Sequence, residues 1–353
     1  MACLLACACG KTDVPGEEGE VRSPLVIRAE EGTDAVPVKA AETGTKPGSF
    51  GIVVVEKGSF TEYLPFLSNV EATAVGTSPT SWNFRYDGSR NKFQNLYLVS
   101  KKNSSNEKVD CDVYAYAPYM AGRTPAQLTS VPFSFSSQTD VMWADQNLAT
   151  FNFSDKDYNN RGIVIDGTSK KLQFDFHHVL SLLQFQLRIK NSDHPYSGGY
   201  SGNTRYYLSS VKMTAKPGTL VGSGSLNALT GVFTGDDTYV TEQTWNWSSN
   251  YPSIPMDGSY AAVFNVLVCP GAFFYGGPHS YADGDYSFRF ALYSQEKGYL
   301  PYADFTLLAS QLGGNGFESG KKYIIQLTFD NYVHFDGIVI TDDWTEVNME
   351  YGI

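Results

Sequence analysis

Charge is scarce in this chain. Only 18% of its residues are Asp, Glu, Lys or Arg, and 26 basic residues face 37 acidic ones, for a net charge of −11. Nucleic acid is held by clustered Lys and Arg, so this balance argues against it as a partner and favours solubility. Long apolar runs are missing too. No stretch reaches the roughly 18 apolar residues of a membrane-spanning helix. Amphipathic helical periodicity is nearly absent: one segment, residues 307–312 followed by Gly313-Gly314, reads as a helix with a glycine stop.

Cysteine is sparse in the body of the chain. Of five, Cys3, Cys7 and Cys9 crowd the start, leaving Cys111 and Cys269. That pair can close a disulfide between two halves, which needs Cα atoms within about 7 Å, or stay as two buried thiols. Histidine is equally rare. His177 and His178 are adjacent, so on a strand they face opposite ways and cannot share a metal; a structural role at a junction is expected, with one ring hydrogen-bonded. His194, His279 and His334 read as loop residues without ligand spacing. Asp236-Asp237, Asp283-Gly-Asp285 and Asp342-Asp343 lack the closing Glu of a calcium loop and read as turn residues. Gly-x-Ser-x-Gly, a Walker loop and His-Glu-x-x-His are all missing. No catalytic, metal or cofactor residue is therefore assigned, and no enzyme is expected.

What is present points to β structure. Aromatics make up 14%, with 23 Tyr and 22 Phe, alongside 33 Gly and 16 Pro. That profile suits an all-β protein of many short strands. Strands are expected at 50–56, 81–86, 93–99, 109–117, 133–136, 149–153 and 172–176. More follow at 183–189, 206–214, 261–268, 286–293, 323–329 and 337–340. The Tyr-rich surface either packs sheets or binds glycans or a protein.

The run from Leu172 to Ile189 organises the rest. Leu172, Phe174 and Phe176 share one face at even positions; Leu183, Phe185, Leu187 and Ile189 share one face at odd positions. Side chains alternate with period two, so one unbroken strand cannot serve both sets. Either the chain bends between His177 and Leu182 and passes to a second sheet, or a bulge lies within one strand. The first reading divides the chain into a signal and tether at 1–22, an N-terminal β-sandwich domain at 23–170 and a C-terminal one at 171–353.

Both ends carry further patterns. Leu4-Leu5-Ala6-Cys7 resembles a bacterial lipobox, which implies lipidation at Cys7, with Cys9 as second choice, and a membrane anchor. A polar tether at 11–20 precedes a lone apolar strand at 23–28, centred on Leu25, Val26 and Ile27. A long polar loop at 29–49 follows, uncommon in a compact domain unless it has a task. At the far end Val347, Met349, Tyr351 and Ile353 recur at every second position. They form either the last edge strand of their own domain or a strand donated to another molecule.

Four internal stretches carry a resemblance. V-D-C-D-V-Y-A-Y-A-P-Y-M, from Val109 to Met120, resembles the Tyr-Ala-Tyr-x-Pro strand of the Bacteroidetes fimbrillins, the subunits of type V pili. S-Q-T-D-V-M-W-A, from Ser137 to Ala144, is similar to their Asp-Leu-Met-Tyr-Ala segment. The 172–189 run resembles their Phe-x-His-x-Leu-Ser crossover, with His178 in the motif position. F-E-S-G-K-K-Y, from Phe317 to Tyr323, resembles their Gly-Lys-x-Tyr strand. The resemblance implies two tandem transthyretin-like Greek-key β-sandwich domains. It also implies an exported lipoprotein precursor on the outer membrane that assembles with other pilus subunits and supports adhesion. A surface trypsin-like protease would cut after Arg28 or Lys39, the strand at 23–28 would leave, and another subunit's strand would replace it. The alternative is an outer-membrane lipoprotein that binds glycans or a protein and never polymerises.

Overall fold

The computed structural model describes residues 22–31, 48–75, 82–86, 89–92, 96–99, 101–135, 140–144, 150–151, 163–166, 169–189, 206–218, 220–236, 238–269, 286–294, 298–299, 302–312, 317–329 and 333–341. The chain is all-β. Its first sheet runs in the order Trp82–Arg85, Val70–Ala74, Ser49–Glu56, Cys111–Ala117, Met142–Ala144, Ser169–His178, Arg22–Glu31, Leu96–Val99. Ser49–Glu56 reads as an uninterrupted apolar run because both its faces are covered. Phe50, Ile52 and Val54 enter a core with Tyr63, Phe84, Val113, Phe174 and Phe176. Val53 and Val55 point the other way, into a separate core with Tyr116 and Leu180.

The parity change after His177 is a change of sheet. Ser169–His178 belongs to the first sheet, and Ser181–Ile189 lies in a four-stranded sheet ordered Ala261–Val268, Ser181–Ile189, Lys322–Phe329, Val333–Thr341. The passage occupies Val179-Leu180, so residue 170, where the sequence pattern divides the chain, falls inside the earlier strand. A six-stranded sheet faces this one, with the path Glu242–Asn246, Tyr206–Ala215, Tyr286–Ser294, Gly298–Tyr299, and with Ser253–Ile254 and Ala303–Leu307 attached. Leu183, Phe185 and Ile325 from one sheet share a core with Val211, Phe288 and Phe290 from the other. The Phe185 and Phe288 ring centroids are 4.7 Å apart. Each such side chain is worth about 1.5–3 kcal/mol when fully buried.

Between these bodies lies a joint built from both halves. Val131–Ser134 pairs with Ser223–Leu226, which pairs in turn with Phe233–Gly235. Val131, Phe133, Val179 and Leu180 pack there with Val221, Leu229, Leu267 and Cys269.

Three sequence expectations need correction. The segment expected to be a helix at 307–312 is the end of the strand Ala303–Leu307 followed by a 3-10 turn, Ala309–Leu312. Its Leu307 is buried by strand pairing with Tyr286, and tertiary pairing overrides local propensity. Among the described residues the one α-helix is Pro125–Leu128, opened by a capping box between Thr124 and Gln127. Cys111 and Cys269 are free and buried in different cores, so the disulfide alternative fails and the two-thiol alternative stands. His334 lies within the strand Val333–Thr341, not in a loop.

Candidate functional site

Among the described pairings of the first sheet one is parallel: Arg22–Glu31 runs alongside Ser169–His178, from Leu25 opposite Lys170 to Glu31 opposite Phe176. On its other edge Arg22 to Leu25 pair antiparallel with Leu96–Val99. The segment from the start of the chain thus sits in a slot whose two walls come from elsewhere in the sequence. The far edge of Ser169–His178 is already occupied, by Ile163–Asp166 along Ser169 to Leu172 and by Met142–Ala144 along Phe176 to His178. The walls send Leu96, Phe174 and Phe176 into the first core, where Phe50 meets Phe174 at 5.9 Å and Phe176 at 5.3 Å. Without the inserted strand both walls would present unpaired N–H and C=O groups, the liability of any open sheet edge.

One end of the slot is fixed by the crossover. His178 is buried, and its Nδ1 lies 2.6 Å from Asp140 Oδ2. The Val179 N–H donates to the Val141 carbonyl at 3.1 Å. Beyond it, the turn at residues 318–321 clamps the chain. Ser319 Oγ donates to the Val179 carbonyl at 2.8 Å, and Ser181 Oγ donates to the Glu318 carbonyl at 2.6 Å. The Gly320 N–H donates to Leu180 O at 3.1 Å and the Leu182 N–H to Lys321 O at 2.9 Å. His177 lies on the opposite face against Trp143, at 5.7 Å. The two histidines therefore diverge as expected, and the junction role falls to His178.

The Val109–Met120 stretch completes this knot. Tyr116 stands opposite Trp143 on one side and Gly51 on the other. Its hydroxyl donates to Asn69 Oδ1 at 2.8 Å and accepts from the Met120 N–H at 3.2 Å, while Asn69 Nδ2 donates to Met120 O at 2.9 Å. Burial pushes the Tyr116 phenol well above its ordinary range, against the opposing pull of its Met120 and Asn69 hydrogen bonds. All four motif stretches thus build one place, the crossover beside the slot. Asn69 gave no signal in the sequence, because its partners are 47 or more residues away.

Leu25, Val26 and Ile27 lie in the inserted strand. Arg28 lies there as well, opposite Gln173, rather than at the edge of the following loop, because pairing carries the strand on to Glu31. Cys7, Cys9 and Lys39 fall outside the described residues, as do Val347, Met349, Tyr351 and Ile353, His194 and His279, and the Asp283 and Asp342 pairs. Asp236 does turn work: its carboxylate accepts from Ser223 Oγ at 2.9 Å and its N–H donates to Ser223 O at 2.9 Å. Among the described residues no cluster of His, Cys, Asp and Glu could hold a metal, and no helix is long and apolar enough to cross a membrane.

Comparison with known proteins adds the family. A family model described as fimbrillin-like matches residues 66–344. A solved structure named "putative cell adhesion protein", from Bacteroides uniformis, is similar at 18% identity and a TM-score of 0.52, over 92% of this chain and 99% of that one. A fimbrial protein from Bacteroides vulgatus is similar at 15% identity and a TM-score of 0.47, over 90% of this chain and 98% of that one. No curated protein matches. With the family match running through the Tyr116 knot, the crossover and the 318–321 clamp, the chain belongs to the fimbrillin-like family.

Proposed function

We propose that this protein is a subunit of a type V pilus that assembles by exchanging its N-terminal strand. Family membership already makes it a structural, non-enzymatic protein, fimbrial and adhesion-related, at the cell surface. The finer reading rests on one observation, the parallel insertion of Arg22–Glu31 between Ser169–His178 and Leu96–Val99. Residues 32–47 join this strand to the next one, Ser49–Glu56, so a cut there severs it from the body that follows.

In this reading the precursor is exported as a lipoprotein, carries lipid on Cys7 and is held at the outer membrane. Its body is two tandem transthyretin-like sandwiches. A surface trypsin-like protease cuts after Lys39. Arg28 is the poorer substrate, because a protease needs the backbone that the sheet here occupies. The freed strand leaves, and the slot's exposed edges take a strand from a neighbouring subunit by β-augmentation. The alternating tail of Val347, Met349, Tyr351 and Ile353 supplies that donor.

Limited trypsin treatment of purified precursor tests this. The reading expects filaments by electron microscopy after cleavage. It expects folded but unassembled subunits when residues 347–353 are deleted. Filaments that form equally well without cleavage, or with that deletion, would remove strand exchange from the mechanism.

A further inference from the structure

The outer face of the six-stranded sheet carries a second feature that strand exchange does not use. The strand Tyr206–Ala215 holds a bulge between Leu208 and Ser210, opposite Ala291. Ser209 Oγ donates to the Ala291 carbonyl at 2.9 Å, and the Trp247 N–H donates to the Ser209 carbonyl at 3.0 Å, which pins the bulge in place. The bulge changes parity: Tyr206 and Leu208 are buried before it, Val211 and Met213 after it. Two short side chains, Ser210 and Ala291, are thereby left paired and facing outward as a floor. Asn246, Tyr299 and Tyr302 stand around that floor, with Trp247 at its edge packing its ring on Phe264 of the core, and together they line an open cleft of about 510 Å³.

Its aromatic walls are exposed but held. Tyr299 is 73% exposed and Tyr302 66%. The Tyr299 ring meets Tyr293 edge-on at 5.5 Å, and Tyr293 in turn stacks on Tyr251 at 5.7 Å. The Arg289 guanidinium lies 5.4 Å from the Tyr302 ring and is fixed by Asp304, with Nε–Oδ1 at 2.7 Å and Nη2–Oδ2 at 3.0 Å. Rings held in this way lose little freedom on meeting a ligand.

Among the described residues the lining contains no charged side chain. Among the described residues the nearby cations are matched by carboxylates, Arg289 by Asp304 and Lys212 by Glu242 at 2.6 Å. A neutral, polar ligand with one apolar face fits that chemistry. The C–H groups on a sugar ring's face carry partial positive charge and settle on the negative face of an aromatic ring. Its hydroxyls both donate and accept, as do the Asn246 amide and the Ser210 hydroxyl. The volume lies within the range of small-ligand sites, about 300–1,000 Å³. We propose that this cleft binds a neutral pyranose ring of a glycan. The site is independent of the slot and of strand exchange.

The test is titration of the intact precursor with methyl glycosides of glucose, galactose, mannose and N-acetylglucosamine, followed by saturation-transfer NMR and by tryptophan fluorescence. Sodium glucuronate serves as the charged comparison. At least one neutral glycoside is expected to bind. Tyr299→Ala and Tyr302→Ala should each weaken it about ten-fold, the equivalent of one lost ring contact. Ser210→Phe, which fills the floor, should abolish it, and all three variants should keep the parent melting temperature. Failure of every neutral glycoside to bind up to its solubility limit would overturn the proposal. So would tighter binding of glucuronate, or binding indifferent to Tyr299→Ala and Tyr302→Ala in folded protein.

Discussion

Gly231 lies directly against the indole of Trp143. A Cβ at Gly231 would stand 2.2 Å from Trp143 Nε1, and the glycine's φ of +72° is one that L side chains rarely adopt. Trp143 belongs to the first sheet, and Gly231 to the turn before Phe233–Gly235 on the other side of the joint. Gly231→Ala should therefore destabilise the protein by about 1–3 kcal/mol from overpacking alone, with backbone strain in addition. Trp143→Ala in the same chain should recover the overpacking part. Urea denaturation of the two single variants and the double variant measures both, and a Gly231→Ala effect under about 0.5 kcal/mol, the surface-substitution range, would contradict the contact.

The shared joint has a second consequence. Apolar residues from both halves pack in it, with a strand of the first half paired to one of the second. Heating should melt the whole chain in one calorimetric transition rather than two, and Phe133→Ala should lower that single transition. Two separable transitions would show that the joint carries too little of the stability to couple the halves.

Tyr116 links the motif strand to Asn69 and Met120 in a buried set of hydrogen bonds. Tyr116→Phe keeps the ring and removes the hydroxyl, leaving buried Asn69 Oδ1 and the Met120 N–H short of a partner. The expected loss is about 1–3 kcal/mol by chemical denaturation, the cost of stranding buried polar groups. A neutral result would mean that water replaces the hydroxyl.

Stability should also fall in alkali. Burial pushes the Cys269 thiol up from an ordinary 9.0. Burial does the same at Cys111, helped by the carboxylates of Asp112 and Asp110. Burial likewise raises Tyr116 from 10.0. In the unfolded chain these groups lose their protons first, so above pH 9 the unfolded state binds fewer protons than the folded one. Stability is then full below pH 9 and declines as pH rises, by up to about 1.4 kcal/mol per pH unit for each group. Replacing both cysteines by Ala should flatten the part of the decline that starts near pH 9. A slope unchanged in that variant would contradict the assignment to the thiols. Neither thiol should react with a bulky disulfide reagent before unfolding.

Much of this was legible in the sequence, for physical reasons. The 181–189 strand and the change of sheet were readable because Leu183, Phe185, Leu187 and Ile189 alternate strictly over one buried face. Ala261–Val268 was readable from its apolar run. Val70–Ala74, Ser223–Leu226 and Glu242–Asn246 were not, being short and carrying polar or small residues; they are strands because a neighbour pairs with them. The bulge at Ser209 was hidden because a single register shift leaves no mark in composition. The cleft was hidden with it: Asn246 and Tyr302 approach Ser210 only through the fold. At the slot the strand itself was readable, from Leu25, Val26 and Ile27, but its parallel partner and its extent past Arg28 were not.

The central claim is that the inserted strand must leave before subunits join, and one lock tests it directly. Ile27 and Leu172 are Cα partners in the parallel register. Neighbouring strands lie about 4.7–4.9 Å apart, within the span a disulfide bridges. The measurement is filament yield after trypsin treatment of an Ile27→Cys/Leu172→Cys chain, oxidised or reduced, in which Cys3, Cys7 and Cys9 are Ser. Strand exchange predicts that the oxidised, cleaved protein stays monomeric and that adding reductant restores filaments. Equal filament yield from the oxidised and reduced proteins would contradict it.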